Sequence, residues 1–256
     1  MPLTTDRTTP QGYVLMIHGL NLKPEKMLLL AHDLEDMGLS VLNVKLSGHY
    51  AGSDWNKVSR SQWLSEIKAN YDLVKTEADQ NHAPLYLVAY SLGAVLTIDL
   101  MEQDSSVRFQ KAILFSPALE IHGYTYLLKI LNWAPSLKIP SLSPKDYRFH
   151  NGTSIAAYKA LFQSVSAVHR GNVERVKMQT TVIIDPKDEL VSFVKLKNFI
   201  QDNNLSGWTI LPISNQGSTL ARSYHHLTVD SAAVGETQWK NILNTIQFSF
   251  REKNLC

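Results

Sequence analysis

Cysteine is almost missing from this chain: of 256 residues, only the last, Cys256, is one. A disulfide framework is impossible and zinc held by clustered thiolates is excluded, a usage that fits a reducing compartment. No apolar run approaches the roughly 18 residues of a membrane span, and the polar stretch Met1 to Gly12 holds nothing of signal-peptide length, so a cytoplasmic location is the expectation. Neither sign of charge dominates. The 25 Lys and Arg and 23 Asp and Glu are mixed without long like-charge runs, which argues against a nucleic-acid groove and for at most transient contact with membranes. Internal repeats are also lacking. What is there, 44% apolar and 19% charged residues, makes one globular domain over 1–256 with a sizeable core.

Short apolar runs alternate with stretches of helical spacing. Tyr13–Ile17, Val41–Leu46, Leu85–Tyr90, Lys111–Phe115, Thr180–Ile184 and Trp208–Ile213 read as strands. Between them, Met27, Leu30, Ala31 and Leu34 mark one helix before Gly38, and Trp63, Ile67, Tyr71 and Val74 mark another, with Ser59 and Gln62 as a capping box. Later helices carry Phe193, Leu196, Phe199 and Ile200, then Trp239, Ile242, Leu243, Ile246 and Phe250. This alternation predicts an α/β fold with a doubly wound, mostly parallel sheet. Sixty-four residues separate Phe115 from Thr180, far more than a crossover needs. Rich in Leu, Ile, Tyr and Trp and then broken by Pro135, Pro140 and Pro144, residues 117–172 read as a helical cap.

In such sheets the chemistry gathers at the carboxyl ends of the strands. There the third run ends in Ala89-Tyr90-Ser91-Leu92-Gly93, close to the G-x-S-x-G of a nucleophile elbow, with alanine for the first glycine. A serine hydroxyl needs an imidazole to take its proton and a carboxylate to orient that imidazole. Ser91, Asp188 and His225 occur in the order Ser, Asp, His and at strand ends. Asp185 and Glu120 are alternative acids, and His226 an alternative base, since adjacent side chains point in different directions. A serine before a helix is otherwise an N-cap, as is Asp188 before its helix. The tetrahedral oxyanion needs two N–H donors, which nominates the backbones of Leu92 and Leu20.

These motifs make the chain resemble the α/β-hydrolase superfamily, and within it carboxylesterases and monoacylglycerol lipases with a small helical cap. The match runs from Tyr13 to about Phe250: His18-Gly19 after the first strand, Gly48-His49-Tyr50 for the family's Gly-His-Gly, the elbow, and Asp188-Glu189-Leu190-Val191 as the acid loop. The family's His-x-apolar-Thr-x-Asp run around its histidine, laid on His225 to Asp230, implies His225 as the base. The resemblance places the cap between that fold's sixth and seventh strands, here Lys111–Phe115 and Thr180–Ile184. It implies a serine hydrolase that uses no cofactor and no metal and acts on small-molecule esters, of short to medium acyl chain or monoacylglycerols. Tyr50, Tyr124, Leu128 and Trp133 are the expected substrate contacts. An acyl-thioesterase or amide-cleaving relative is the nearest alternative, and a non-catalytic ligand-binding protein a further one.

Overall fold

The six apolar runs fold as one sheet of six parallel strands. In a computed structural model that describes residues 9–171 and 173–251, these are β1 (Gly12–Ile17), β2 (Leu39–Val44), β3 (Leu85–Tyr90), β4 (Lys111–Phe115), β7 (Gln179–Ile184) and β8 (Trp208–Pro212). Cys256 and most of the N-terminal polar stretch lie outside the described residues. The spatial order is β2-β1-β3-β4-β7-β8, every pair parallel. Because side chains alternate across a strand, each strand feeds two cores. Leu15, Ile17, Leu87, Ala89 and Leu114 pack against α2 (Arg60–Gln80), α3 (Leu92–Gln103), α4 (Ile155–Arg170) and α5 (Phe193–Asp202). Val14, Met16, Val88, Tyr90, Ile113 and Phe115 pack on the other face against α1 (Leu28–Asp36) and the last helix, Glu236–Arg251. Strands with two apolar faces read as continuous apolar runs, which is why they stand out in the sequence.

Chain progression reverses between β1 and β3, and such a switch point opens a crevice at the strands' carboxyl ends. The loop after β1 and the turn after β3 meet there.

Ser59 caps α2 as expected, its Oγ accepting from Gln62 N at 3.2 Å. The reciprocal half of the box is not made: Gln62 Nε2 donates to Ser47 Oγ at 2.7 Å, tying α2 to the loop after β2 instead. The first helical stretch begins as a 3-10 turn, Pro24–Met27, before α1.

The stretch between β4 and β7 is not helical throughout. It runs through a 3-10 helix (Gly123–Leu131), an antiparallel ribbon of β5 (Lys138–Pro140) and β6 (Gly152–Ser154), and then α4. Ser154 Oγ caps α4 by accepting from Ala157 N. The inner face of α4, with Ala157, Ala160, Leu161, Phe162 and Val165, is part of the main core. No helix among the described residues is long and apolar enough to cross a membrane.

Candidate active site

Ser91 sits at φ 51°, ψ −108°, between the end of β3 and the start of α3. That left-handed conformation costs a non-glycine residue roughly 1–3 kcal/mol. It is held by Ser91 N donating to Phe115 O at 2.9 Å and Ala118 N donating to Ser91 O at 3.1 Å. The serine side chain makes no capping bond, so its hydroxyl is left for another partner. Gly93 is required: a Cβ there would lie 2.5 Å from the Ile17 carbonyl oxygen. Ala89 is tolerated because its methyl group fills the core.

The partner of Ser91 Oγ is His226, whose Nε2 lies 2.9 Å away. Nδ1 of His226 meets both carboxylate oxygens of Asp188, at 3.0 and 2.8 Å. Asp188 Oδ1 also accepts from Leu190 N and Val191 N, both at 2.8 Å, so the acid is fixed by its own loop. All three side chains are buried. An imidazole with a carboxylate on Nδ1 presents Nε2 as a proton acceptor toward the serine.

The expectation for His225 is therefore corrected: His226, not its neighbour, stands between Ser91 and Asp188. His225 turns the other way, Nδ1 to Asp185 Oδ2 at 2.8 Å and Nε2 to Ser223 Oγ at 3.3 Å. Two residues outside the histidine run set this orientation. Glu189 Oε1 accepts from His225 N at 3.1 Å and its Oε2 from His226 N at 3.0 Å, while Tyr90 Oη donates to His226 O at 3.1 Å. In the sequence Glu189 stands only as a member of the acid loop and Tyr90 only as the variable residue of the elbow, and neither position signals this role. Glu120, the other alternative acid, pairs with His169 at 3.2 Å.

The loop after β1 closes the opposite side. A Cβ on Gly19 would fall 3.2 Å from Ser91 Cβ and 2.6 Å from the Tyr90 ring, so only glycine lets this loop approach the elbow. Leu20 follows in the wall of the same cavity as Ser91. Leu92 N–H, the first of α3, has no acceptor within its helix. Asn21, at φ 83°, pins the loop: its Oδ1 accepts from His150 N at 2.7 Å, its Nδ2 donates to His150 O at 2.9 Å, and its N donates to His49 Nε2 at 3.4 Å. His18 Nε2 accepts from Leu46 N at 3.1 Å. Burial pushes the His18 imidazole down to about 4, and burial together with His18 and His150 nearby pushes His49 well below its ordinary value. Both are held neutral, as hydrogen-bonded struts. The described residues contain no cluster of three or more His, Cys, Asp or Glu able to hold a metal.

Ser91 and His226 open into a cavity of about 350 Å³, at the small end for ligand sites. Its wall includes Tyr124, Leu128, Tyr158, Leu161, Val191 and Tyr224, and no Asp, Glu, Lys or Arg. Burial raises Tyr90 and Tyr224 well above the ordinary phenol value, aided by the negative charges of Asp188 and Glu189. Of the four expected substrate contacts, Tyr124 and Leu128 line this cavity. Tyr50 and Trp133 do not: Tyr50 bonds Ser47 Oγ at 3.0 Å within the loop after β2, and Trp133 is 81% exposed.

A model of the family described as serine aminopeptidase, S33 matches residues 8–173. No curated protein matches the chain. Among solved structures it is similar to one reported with the metagenome-derived lipolytic enzymes LipS and LipT, with 20% identity, TM-score 0.74, and coverage of 96% of this chain and 95% of the other. A soluble variant of monoglyceride lipase from Saccharomyces cerevisiae, in complex with a substrate analogue, gives 13% identity, TM-score 0.76, and coverage of 98% and 89%. Paleococcus ferrophilus monoacylglycerol lipase gives 17%, TM-score 0.67, 94% and 96%. At these identities the likeness establishes a shared α/β-hydrolase fold.

Proposed function

Because the chain belongs to the serine aminopeptidase S33 family of α/β hydrolases, we propose that it is a serine hydrolase of carboxylic esters, with acyl groups of short to medium length or monoacylglycerols as substrates. Ser91 Oγ attacks the ester carbonyl as its proton passes to His226 Nε2, and Asp188 stabilises the imidazolium. The N–H groups of Leu20 and Leu92 receive the oxyanion. His226 then gives its proton to the departing alkoxide, leaving an acyl group on Ser91, and a water activated by the same Nε2 releases the acid. None of these steps draws on a cofactor.

The observation that carries the substrate class is the uncharged wall of the cavity at Ser91. An apolar acyl chain gains from desolvation there at roughly 25 cal/mol per Å². An aminopeptidase substrate brings an α-ammonium group, which needs a carboxylate beside it, and no acidic residue lines this cavity. The named activities of the similar lipase structures support the ester reading.

The test is a profile of kcat/KM over nitrophenyl esters of increasing chain length, set against acyl-thioesters and aminoacyl nitroanilides, for wild type and Ser91→Ala. We expect a maximum at short to medium esters, abolished in Ser91→Ala. Preference for thioesters or nitroanilides sinks the assignment. Failure of folded wild-type protein to label with a fluorophosphonate leaves a non-catalytic binding protein.

A further inference from the structure

A 3-10 helix has three residues per turn, so residues three apart line up along it. On the helix Gly123–Leu131 that line is Tyr124, Leu127 and Ile130, and Trp133 follows at the same interval just beyond; they are 59, 66, 72 and 81% exposed. Single exposed apolar side chains are ordinary, but a continuous stripe of large ones marks a surface that meets something. Leu142, 58% exposed, adds to it.

Charge is segregated on the same part of the molecule. Residues 117–172 hold six Lys and Arg against Glu120 and Asp146, so the near-neutral total hides a basic cap on an acidic remainder. Lys57, Arg60, Lys129, Lys159 and Arg170 line one open cleft whose wall contains no Asp or Glu. Arg60 is paired with Asp99, and Lys57 lies 3.5 Å from Asp54. Neither Lys159 nor Arg170 forms an ion pair among the described residues. Lys129 and Asn132 bring the end of the apolar stripe into this cleft. The cavity at Ser91 reaches the stripe as well, since Tyr124 and Leu142 are both exposed and part of its wall.

We propose that this face of the cap docks on a lipid bilayer carrying anionic headgroups. Leu127, Ile130 and Trp133 enter the interface, Lys129, Lys159 and Arg170 meet the headgroups, and a lipid ester passes from the bilayer at Tyr124 and Leu142 into the cavity. The last clause rests on the ester-hydrolase reading; the docking does not. A second copy of the chain fits less well: a two-fold contact sets cap against cap, and a cap with six Lys and Arg against Glu120 and Asp146 offers the basic cleft few acidic partners.

The experiment is co-sedimentation with vesicles of phosphatidylcholine alone and of phosphatidylcholine mixed with phosphatidylglycerol, with sedimentation velocity of the protein by itself. Wild type is expected to pellet at least tenfold more strongly with the anionic vesicles, and less so as salt is raised. Lys159→Gln and Arg170→Gln each weaken this about fivefold. The double change Ile130→Ser, Trp133→Ser abolishes it, and every variant keeps wild-type turnover of a water-soluble ester. Equal binding to both vesicles, no binding, or self-association that the Ile130, Trp133 change removes would each overturn the proposal. Sedimentation needs no turnover, so vesicle binding without ester hydrolysis would condemn the catalytic reading alone.

Discussion

Asp185 holds Nδ1 of His225 at 2.8 Å, the distance at which Asp188 holds Nδ1 of His226. Two Asp–His pairs thus stand side by side, and only the second reaches Ser91. His226→Ala is expected to lower kcat by at least ~1,000-fold, because the proposed base is gone while the cavity remains. His225→Ala loses a partly exposed pair outside the reacting atoms and is expected to stay within ~10-fold of wild type. The rate of fluorophosphonate labelling at Ser91 reads both directly. Equal losses would return His225 to the mechanism.

Glu189 grips two consecutive amides, those of His225 and His226, with its two carboxylate oxygens. Its own carbonyl oxygen accepts from the Tyr124 hydroxyl of the cap. A glutamine keeps the shape but turns an NH₂ toward one of those N–H groups, costing about 1–3 kcal/mol in the loop that aims His226. Glu189→Gln is therefore expected to lower kcat by ~10- to 100-fold with KM within about twofold of wild type, since the cavity wall is untouched. A purely structural role would lower the melting temperature and leave kcat of the folded fraction unchanged.

The sheet was legible because buried parallel strands are continuous apolar runs that stop where the chemistry begins, as at Ile17-His18 and Tyr90-Ser91. The elbow was legible because its geometry demands small residues at fixed places, and Gly93 shows why. The choice between His225 and His226 was not. In this chain the run is His226-Leu227-Thr228-Val229-Asp230, one residue shorter than the pattern laid on it, and the ring directions are set by Glu189 and Tyr90, remote in sequence. The cap was legible as an insertion but not in its elements. A stretch such as Tyr124 to Trp133 satisfies a period of 3.0 as well as 3.6, and the ribbon of Lys138–Pro140 with Gly152–Ser154 forms between segments too short to show any period.

His18 links the site to acid stability. Its buried imidazole has a value of about 4 in the folded protein against 6.5 in the unfolded chain, so the unfolded state takes up the proton first. The His18 contribution is complete above pH 6.5 and is lost as pH falls toward 4, by about 3 kcal/mol in all. His49, shifted the same way, adds to it. The urea midpoint of wild type should therefore fall more steeply between pH 6.5 and 4.5 than that of His18→Gln. Parallel curves would show that His18 is not the group responsible.

Arg60 and Asp99 form a bidentate pair, both bonds 2.6 Å, with the Asp99 side chain 1% exposed on α3. Arg60→Ala leaves that carboxylate buried with Gln103 Nε2 as its remaining side-chain donor. The expected loss is about 3 kcal/mol of stability, visible in thermal or urea unfolding. Ester turnover at 25 °C should not change, because neither residue lines the cavity at Ser91. A loss within ~1 kcal/mol would mean that water replaces the guanidinium.

The proposed acyl cavity is bounded on one side by α4, through Tyr158 and Leu161. Leu161 is 5% exposed and belongs at once to the core and to the cavity wall, so its side chain cannot swing out to make room. Leu161→Trp fills acyl space, and interiors packed to crystal density do not yield readily. The longest acyl chain that wild type accepts should lose at least ~10-fold in kcat/KM, a discrimination of the size that a few methylenes command. The acetyl ester, whose carbonyl sits at Ser91 with almost no chain behind it, should stay within about threefold. The maximum of the chain-length profile moves toward shorter esters, and labelling of Ser91 by a small fluorophosphonate is unchanged. A uniform loss across all lengths would place the acyl chain elsewhere, against the loop after β1 and not against α4.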